Sequence, residues 1–258
     1  MSRASLESFS AAANQKTKMP AFVLLDNPIW NALRTDHAPL AAGDERARRY
    51  PPAIGPLSGI PIQSPESYEG LRALAGTSVV VLFSVEPLRI PAGWHLVRQG
   101  PIVQMIRTPQ SFAAKGSPDL SRDPQRFDSP SLRLRQLTAA DAPAMVELAE
   151  LTEPGPFRLR TIELGNFYGI FHGDTLVAMA GKRMHLPGLV EVSGVCTHPD
   201  ARGRGYAAHL MSMVIAEIER EGRIPFLHAF AENPAIRLYE RLGFELRQRF
   251  HFGVLKPE

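Results

Sequence analysis

The residues best suited to chemistry form a loop rich in glycine and arginine, Arg202-Gly203-Arg204-Gly205-Tyr206-Ala207, between a predicted strand and a predicted helix. Glycine lets the backbone approach a ligand closely, and the first N–H groups of a helix point to where the helix dipole is positive. Such a loop suits a phosphate or a pyrophosphate. Taken alone, the pattern also fits a plain surface turn that precedes a helix.

The same residues fit the G-x-G-x-x-A fingerprint of dinucleotide-binding domains, which is a competing interpretation. That fold needs an acidic residue about 20 positions further on, at the end of the next strand. Arg223 occupies that spacing, and only about 50 residues follow the loop, which are too few for a doubly wound sheet. A dinucleotide-binding oxidoreductase is therefore the less favoured alternative.

The sequence around the loop resembles the GNAT superfamily of acyl-CoA-dependent N-acyltransferases. Arg202–Ala207 matches that family's R/Q-x-x-G-x-G/A loop, and Val195–Asp200 matches the strand end and turn before it. About 30 residues downstream, Asn233–Phe244 resembles the family segment Asn-x-x-A-x-x-L-Y-x-x-L-G-F. The resemblance covers roughly residues 132–254. It implies an α/β (α+β) fold with a mixed, mostly antiparallel central sheet flanked by helices.

The resemblance also implies acetyl-CoA as the co-substrate, without a metal. The backbone of the whole loop would hold the pyrophosphate, which assigns that role to Arg202, Gly203, Arg204, Gly205, Tyr206 and Ala207. The strand before the loop would pair with the pantetheine arm through main-chain hydrogen bonds. This strand contributes Val195, Cys196 and Thr197, and Asn233 and Ala235 would lie further along the same arm.

Two groups would act on the thioester itself. A backbone N–H near Cys196 or Thr197 would polarise the carbonyl, and the phenol of Tyr239 would protonate the leaving thiolate. The structural alternative for Tyr239 is a core aromatic residue with a hydrogen-bonded hydroxyl. We interpret Cys196 as a small core residue, because the family transfers the acyl group directly.

Glu191 is the predicted general base. It lies eleven residues before Arg202, a position that resembles the glutamate base of the histone-type GNAT enzymes. Counting by two from Glu191 leads to Ser193 and Val195, so these side chains share one face of the strand if no bulge intervenes. A solvated glutamate is the alternative, and a relay of waters would make direct contact unnecessary.

Three further residues are candidates for the acceptor side. Arg158 and Arg160 follow Pro154-Gly155-Pro156, where GNAT enzymes place substrate-contacting segments, and an arginine there would hold a substrate carboxylate. His228 lies on the strand after the loop and would line the amine side, or else is a structural histidine. His198 is interpreted as a turn residue.

The chain divides into two parts. Residues 109–131 carry four prolines and little apolar periodicity, which predicts a linker. Residues 1–108 contain no spacing that indicates chemistry, so we interpret them as an α/β scaffold or substrate-shaping domain, for which a degenerate GNAT-like fold is one interpretation. Residues 132–258 form the predicted acyltransferase domain, and this layout is similar to GNAT members of the glycine N-acyltransferase type. In the first part, Gln99-Gly100 predicts a turn between two strands, Trp94–Arg98 and Ile102–Ile106.

Composition sets the remaining limits. Hydrophobic residues make up 44% and charged residues 21% of 258, which is ordinary for a globular protein. One cysteine excludes an intramolecular disulfide, and with no signal-peptide pattern it predicts a cytoplasmic protein. The net charge of +3 comes without a basic cluster, so we expect no nucleic-acid or membrane partner. We expect an N-acetyltransferase that transfers the acetyl group directly, within a ternary complex, to the primary amine of a small molecule or amino acid. We expect it to act as a monomer or homodimer. The alternative is a non-catalytic acyl-CoA-binding regulatory module.

Overall fold

The helices and strands come from a computed structural model, which describes residues 20–109, 111 and 131–258. The helices there are α1 (Pro20–Val23), α2 (Pro28–Arg34), α3 (Pro65–Ala75), α4 (Ala142–Thr152), α5 (Tyr206–Arg220) and α6 (Ile236–Arg241). The strands are β1 (Ala42–Gly43), β2 (Arg48–Arg49), β3 (Ser58–Gly59), β4 (Val80–Ser84), β5 (Trp94–Ile106), β6 (Leu132–Gln136), β7 (Phe167–His172), β8 (Thr175–Leu186), β9 (Leu189–Thr197), β10 (Ile224–Phe230) and β11 (Glu245–Pro257).

One eight-stranded sheet contains strands from both parts of the chain, in the order β4-β11-β5-β10-β9-β8-β7-β6. The predicted mixed, mostly antiparallel sheet with flanking helices is confirmed. Because β5 pairs with β10 and with β11, residues before 108 build the same sheet as residues after 132. Apart from 109, 111 and 131, the predicted linker lies outside the described residues, and the division into domains stays a prediction.

Strand β5 corrects one detail of the sequence analysis. The predicted turn at Gln99-Gly100 was wrong, because residues Trp94–Ile106 form one continuous strand. Gly100 pairs with Phe252 of β11 inside the ladder. Partners along the strand hold this glycine in an extended conformation, and tertiary pairing overrides its local preference for a turn.

The helices cover both faces of the sheet. On β5, Val103 and Met105 pack towards α5, whereas Ile102 and Ile106 point to the opposite face, where α2 lies. The helix predicted after the Gly/Arg loop is confirmed as α5, and its side chains Leu210, Met211, Val214, Ile215 and Ile218 all lie in the core. Helix α4 packs on the face opposite α5, with its own apolar cluster. Among the described helices, none is long and apolar enough to cross a membrane.

Strands β9 and β10 are parallel neighbours that separate after a short contact. They pair only from Leu189 to Glu191 on β9 and from Ile224 to Phe226 on β10. Beyond Phe226, β10 continues beside β5 instead. The sheet therefore opens between two of its central strands, and the opening lies where β9 leads into the Gly/Arg loop.

A β-bulge interrupts β9 in the stretch that has separated from β10. Met179 of β8 pairs with Cys196 and Gly181 pairs with Ser193, so two residues of β9, Gly194 and Val195, lie opposite one residue of β8. Gly194 has φ +62°, in the left-handed region that favours glycine. The extra residue reverses the alternation of side chains between the two faces beyond this point.

Candidate active site

A cavity lies where β9 and β10 separate, and we call it the inner cavity. Its volume is about 100 Å³, and its two long walls are Val192–Val195 of β9 and Leu227–Phe230 of β10. Tyr239 and Asn233 close it on the face of α5, and the loop Glu153–Pro156 closes it on the face of α4. The inner cavity therefore reaches both faces of the sheet.

A larger cavity adjoins it on the face of α4, and we call it the outer cavity. Its volume is about 600 Å³. It shares part of its wall with the inner cavity, namely Glu153, Gly155, Pro156, Phe230 and Phe252. Its remaining wall comes from α4, from the segment after α4, and from three strands, through Val81, Arg98, Ala149, Glu150, Phe157, Arg158 and Val254.

The Gly/Arg loop has the backbone geometry of an anion site. Gly203 (φ +76°) and Gly205 (φ +79°) are left-handed, and a Cβ added at either would meet no atom within 4 Å. The first hydrogen bond of α5 runs from the N–H of His209 to the carbonyl of Gly205. The backbone N–H groups before His209 therefore have no partner within the helix. The side chain of Tyr206 is buried, so at that position the backbone is what can face a ligand.

The other predicted cofactor residues line the opening or support it. Val195 and Asn233 line the inner cavity. The Oδ1 of Asn233 accepts a hydrogen bond from the backbone N–H of Ala235 (2.8 Å), which closes the turn before α6. The Oγ1 of Thr197 is buried, without a hydrogen-bond partner among the described residues. A buried hydroxyl without a partner is costly, and this one belongs to the last residue of β9.

Cys196 and Tyr239 occupy different environments. Cys196 packs in the α4 cluster, and burial raises the pKa of its thiol to about 12. Tyr239 lines the inner cavity, and burial, together with the nearby Cys196, raises the pKa of its phenol to about 12. At neutral pH the phenol of Tyr239 is therefore protonated and can donate a proton, whereas the thiol of Cys196 is protonated and a poor nucleophile.

Glu191 does not lie where the sequence analysis expected it. The bulge at Gly194 breaks the alternation, so Val195 packs on the α5 face with Val190 and Val192, and Glu191 points to the opposite face. The Glu191 side chain is 0% exposed. Burial alone would raise its pKa, but the ion pair with Arg183 and the hydrogen bond from His228 lower it from 4.5 to about 2. A carboxylate so held is a weak base, and Val195 does not share its face of the strand as uninterrupted alternation predicted.

Glu191 instead belongs to a row of hydrogen-bonded side chains that crosses five neighbouring strands. Arg183 of β8 donates to it through Nε (2.7 Å) and Nη2 (2.8 Å). His228 of β10 contacts it through Nδ1 (2.8 Å), and Gln104 of β5 contacts the other ring nitrogen, Nε2 (3.0 Å). Arg247 of β11 then donates to Oε1 of Gln104 (2.8 Å). We call these five residues the polar row.

The polar row fixes the protonation state of His228. The ionised Glu191 only accepts, so Nδ1 of His228 carries the proton. The amide nitrogen of Gln104 donates to Nε2 and also to the carbonyl of Leu25, which uses both of its hydrogens. A proton on Nε2 would therefore face another donor. Burial lowers the pKa of His228, although the bond to Glu191 opposes this shift. His228 lines the inner cavity as a neutral ring whose two nitrogens are both engaged.

Of the two arginines predicted for the acceptor side, one reaches a cavity. Arg158 lines the outer cavity. Arg160 lines neither cavity and forms a surface ion pair with Glu163 through Nε (2.6 Å) and Nη2 (2.8 Å), so its assignment to the substrate stays a prediction. His198 is a turn residue, as expected, since its Nδ1 accepts a hydrogen bond from the N–H of Asp200.

Sequence reasoning missed Arg183, Gln104 and Arg98. Arg183 was detectable, because the charged pair Lys182-Arg183 interrupts the mainly apolar Leu176–Leu186 run and a charge there needs a partner. Glu191 follows across the turn at Pro187-Gly188. Gln104 and Arg98 come from the first part of the chain, and no local pattern links them to the site. Within the described ranges, no group of His, Cys, Asp and Glu side chains is arranged to hold a metal ion.

Comparison with known proteins agrees with this geometry. Residues 167–252 match the FR47-like protein family. A crystal structure of a GNAT-family protein from Novosphingobium aromaticivorans is 38% identical, covers 91% of this chain and 98% of its own, and superposes with a TM-score of 0.77. The chain belongs to the GNAT family of acetyltransferases. The Gly/Arg loop, the opening between β9 and β10, and the bulge at Gly194 are therefore features of a chain with the GNAT fold.

Two further relatives set the limits of the likeness. A mycothiol acetyltransferase from Brachybacterium faecium is 36% identical over 83 residues, which is 30% of this chain but only 25% of that protein. A GCN5-related N-acetyltransferase from Kribbella flavida is 15% identical, with a TM-score of 0.58 over 94% of this chain and 97% of its own. The Kribbella flavida protein shares the fold over nearly the whole length of both chains, so the likeness includes the first part of this chain.

Proposed function

We propose that this GNAT protein transfers an acetyl group from acetyl-CoA to the primary amine of a small molecule, by direct attack within a ternary complex. The observation that carries the proposal is the opening between β9 and β10, which connects the two faces of the sheet. The anion-binding loop follows β9 at the N-terminus of α5, and the outer cavity adjoins the opening on the face of α4. Two substrates can therefore meet without competing for one entrance.

The residues present fit acetyl-CoA, whose thioester supplies the activated acyl group. The backbone from Arg202 to Ala207 would hold the pyrophosphate, because its glycines leave open space above the loop. The backbone of Val195, Cys196 and Thr197 would pair with the pantetheine arm. The orphaned Oγ1 of Thr197 supports this assignment, since it needs a partner that the described residues do not supply.

The bulge provides the group that polarises the thioester carbonyl. An extra residue in a bulge is left out of the ladder, so its backbone groups are free for other partners. This moves the expected N–H from Cys196 or Thr197 to Gly194 or Val195, which line the inner cavity. A preorganised donor there would stabilise the negative charge that develops on the oxygen during attack.

Tyr239 would complete the transfer as a general acid. The new bond joins the amine nitrogen to the acyl carbon, the carbon–sulfur bond breaks, and the phenol of Tyr239 gives its proton to the sulfur. The proton that the nitrogen loses as the amide forms restores the phenol. The amine must first lose a proton, and the open outer cavity gives that proton a path to solvent. Glu191 takes no direct part, because the polar row holds it ionised and buried.

Thermal unfolding with and without ligands tests the binding part of this proposal. Acetyl-CoA at 100 times its dissociation constant should stabilise the fold by about 2.7 kcal/mol, whereas NADH should give no shift. Gly205→Asp places a carboxylate in the loop and should remove the shift. Gly173→Asp is the matched control, because Gly173 is also left-handed (φ +60°) and surrounded by open space, but lies in the β7–β8 turn.

Thiol release from acetyl-CoA in the presence of an amine tests the catalytic part. Release with one or more amines supports the transferase. Binding of acetyl-CoA without thiol release in the presence of any amine would instead support a regulatory acyl-CoA-binding module. A shift with NADH and none with acetyl-CoA or CoA would contradict the assignment of the loop.

A further inference from the structure

The outer cavity carries charges that the reaction itself does not use. Two guanidinium groups line it, Arg98 from β5 and Arg158 from the segment after α4, and two carboxylates, Glu150 and Glu153, line it from the end of α4. The Arg98 guanidinium lies 5.1 Å from the centre of the Phe230 ring. Within residues 20–109, 111 and 131–258, no ion pair joins any of these four side chains to a protein partner.

The four charged side chains differ in which cavity they line. Glu153 lines both the inner and the outer cavity, whereas Arg98 and Arg158 line only the outer one. Glu150, one helical turn before Glu153, also lines only the outer cavity. A carboxylate therefore lies next to the place of acyl transfer, and the guanidinium groups lie further away.

We propose that the acceptor is a zwitterion with a primary amine at one end and a carboxylate or phosphate several bonds away, bound at its anionic end by Arg98 and Arg158. This inference rests on the proposed function. Glu153 would draw the ammonium group towards the inner cavity, while Arg98 and Arg158 hold the anion in the outer one. Phe230 and Phe252 line both cavities and would contact the apolar body between the two ends.

The geometry also says which amines fit poorly. In an α-amino acid, one carbon separates the carboxylate from the amine, so the two groups cannot occupy the inner and outer cavities together. A simple alkylamine leaves Arg98 and Arg158 without a partner, and a polyamine places a positive charge beside them. A longer zwitterion satisfies both ends of the cavity, and its size suits a pocket of several hundred Å³.

Steady-state thiol release with a matched series of amines tests the proposal. The series is hexylamine, glycine, 6-aminohexanoate and 6-aminohexyl phosphate. At least one of the two long anionic acceptors should have a kcat/KM about tenfold or more above hexylamine and glycine, as one charge-assisted hydrogen bond predicts. The better of the two identifies the anionic group as a carboxylate or a phosphate.

Variants then assign the effect to the two arginines. Arg98→Gln and Arg158→Gln should each lower the ratio of kcat/KM for the preferred anionic acceptor to that for hexylamine, mainly through KM. Arg160→Gln is the matched control, because Arg160 is paired with Glu163 outside both cavities, and it should leave this ratio as in the wild type.

Three results would overturn the inference. They are no advantage of either long anionic acceptor over hexylamine, no advantage of either one over glycine, and a loss in the arginine variants that is the same for every acceptor. Failure of the proposed function is a different result, since no amine in the series, hexylamine included, would then release thiol.

Discussion

Arg183 and Glu191 face each other across β8 and β9 and form a bidentate ion pair with both side chains buried, at 10% and 0% exposure. The pair forms the β8 end of the polar row, beside the opening between β9 and β10. Two hydrogen bonds satisfy the charged groups, so the pair fixes the position of β9 just before the bulge. Its loss would leave a charge without a counter-charge inside the sheet.

Glu191→Gln should destabilise the fold by roughly 3–5 kcal/mol, because Arg183 would remain buried and charged without its partner. Glu163→Gln is a matched control, since Glu163 forms the same kind of bidentate pair with Arg160 at the surface. That change should cost no more than about 1 kcal/mol. Denaturant unfolding of both variants measures the difference, and equal losses would show that the buried pair is not special.

The ion pair between Arg183 and Glu191 predicts how the free energy of unfolding depends on pH. The pKa of Glu191 is lowered from 4.5 to about 2 in the folded protein. The unfolded chain therefore takes up the proton first, and the stabilisation is complete above pH 4.5 and decreases as the pH falls towards 2. Unfolding free energies measured between pH 5 and 2.5 should fall less steeply for Glu191→Gln than for the wild type. Parallel curves would contradict the lowered pKa.

Local sequence signals located the strands at the centre of the site but not their irregularities. The sequence predicted one strand before the Gly/Arg loop and another after it, and β9 (Leu189–Thr197) and β10 (Ile224–Phe230) occupy these places. The bulge at Gly194 was not predictable, because strict alternation assumes a regular ladder and the extra residue depends on pairing with β8. That single residue moved Glu191 to the other face and changed its expected role.

Tyr239→Phe should lower kcat by about 10²- to 10⁴-fold with little change in acetyl-CoA affinity, because the phenyl ring keeps its packing but cannot donate a proton. Since the pKa of Tyr239 is about 12, the wild-type rate should show no loss from this group up to about pH 10. Tyr168→Phe is the control, because Tyr168 donates to Glu217 outside both cavities. An unchanged kcat for Tyr239→Phe would reject the acid role.

Gly194→Ala should damage both stability and activity. A Cβ at Gly194 would lie 2.8 Å from the Phe167 ring, and the residue has a left-handed φ of +62°. Gly188→Ala separates the two effects, because Gly188 is also left-handed (φ +76°) but a Cβ there meets no atom within 4 Å. We expect about 1 kcal/mol of destabilisation at Gly188 and a larger loss, with reduced kcat, at Gly194. Equal effects would mean that backbone strain alone matters.

The polar row shows why part of the site is invisible in the sequence. Gln104 and His228 are 124 residues apart, and Gln104 and Arg247 are 143 apart. No short motif links such positions, and they meet only because β5 pairs with both β10 and β11. The cofactor loop, in contrast, is one continuous segment whose glycines and helix start are readable directly.

His228 should remain neutral, with the proton on Nδ1, at a pH where an unperturbed histidine near 6.5 is already charged. Burial lowers its pKa, and the amide of Gln104 opposes a second proton on Nε2. Nitrogen-15 spectra of the imidazole between pH 7 and 5 report this state directly. Gln104→Glu replaces the opposing donor with a carboxylate oxygen and should raise the pKa of His228. A doubly protonated His228 at pH 6 in the wild type would contradict the assigned hydrogen bonds, because Gln104 would then have to accept where it now donates.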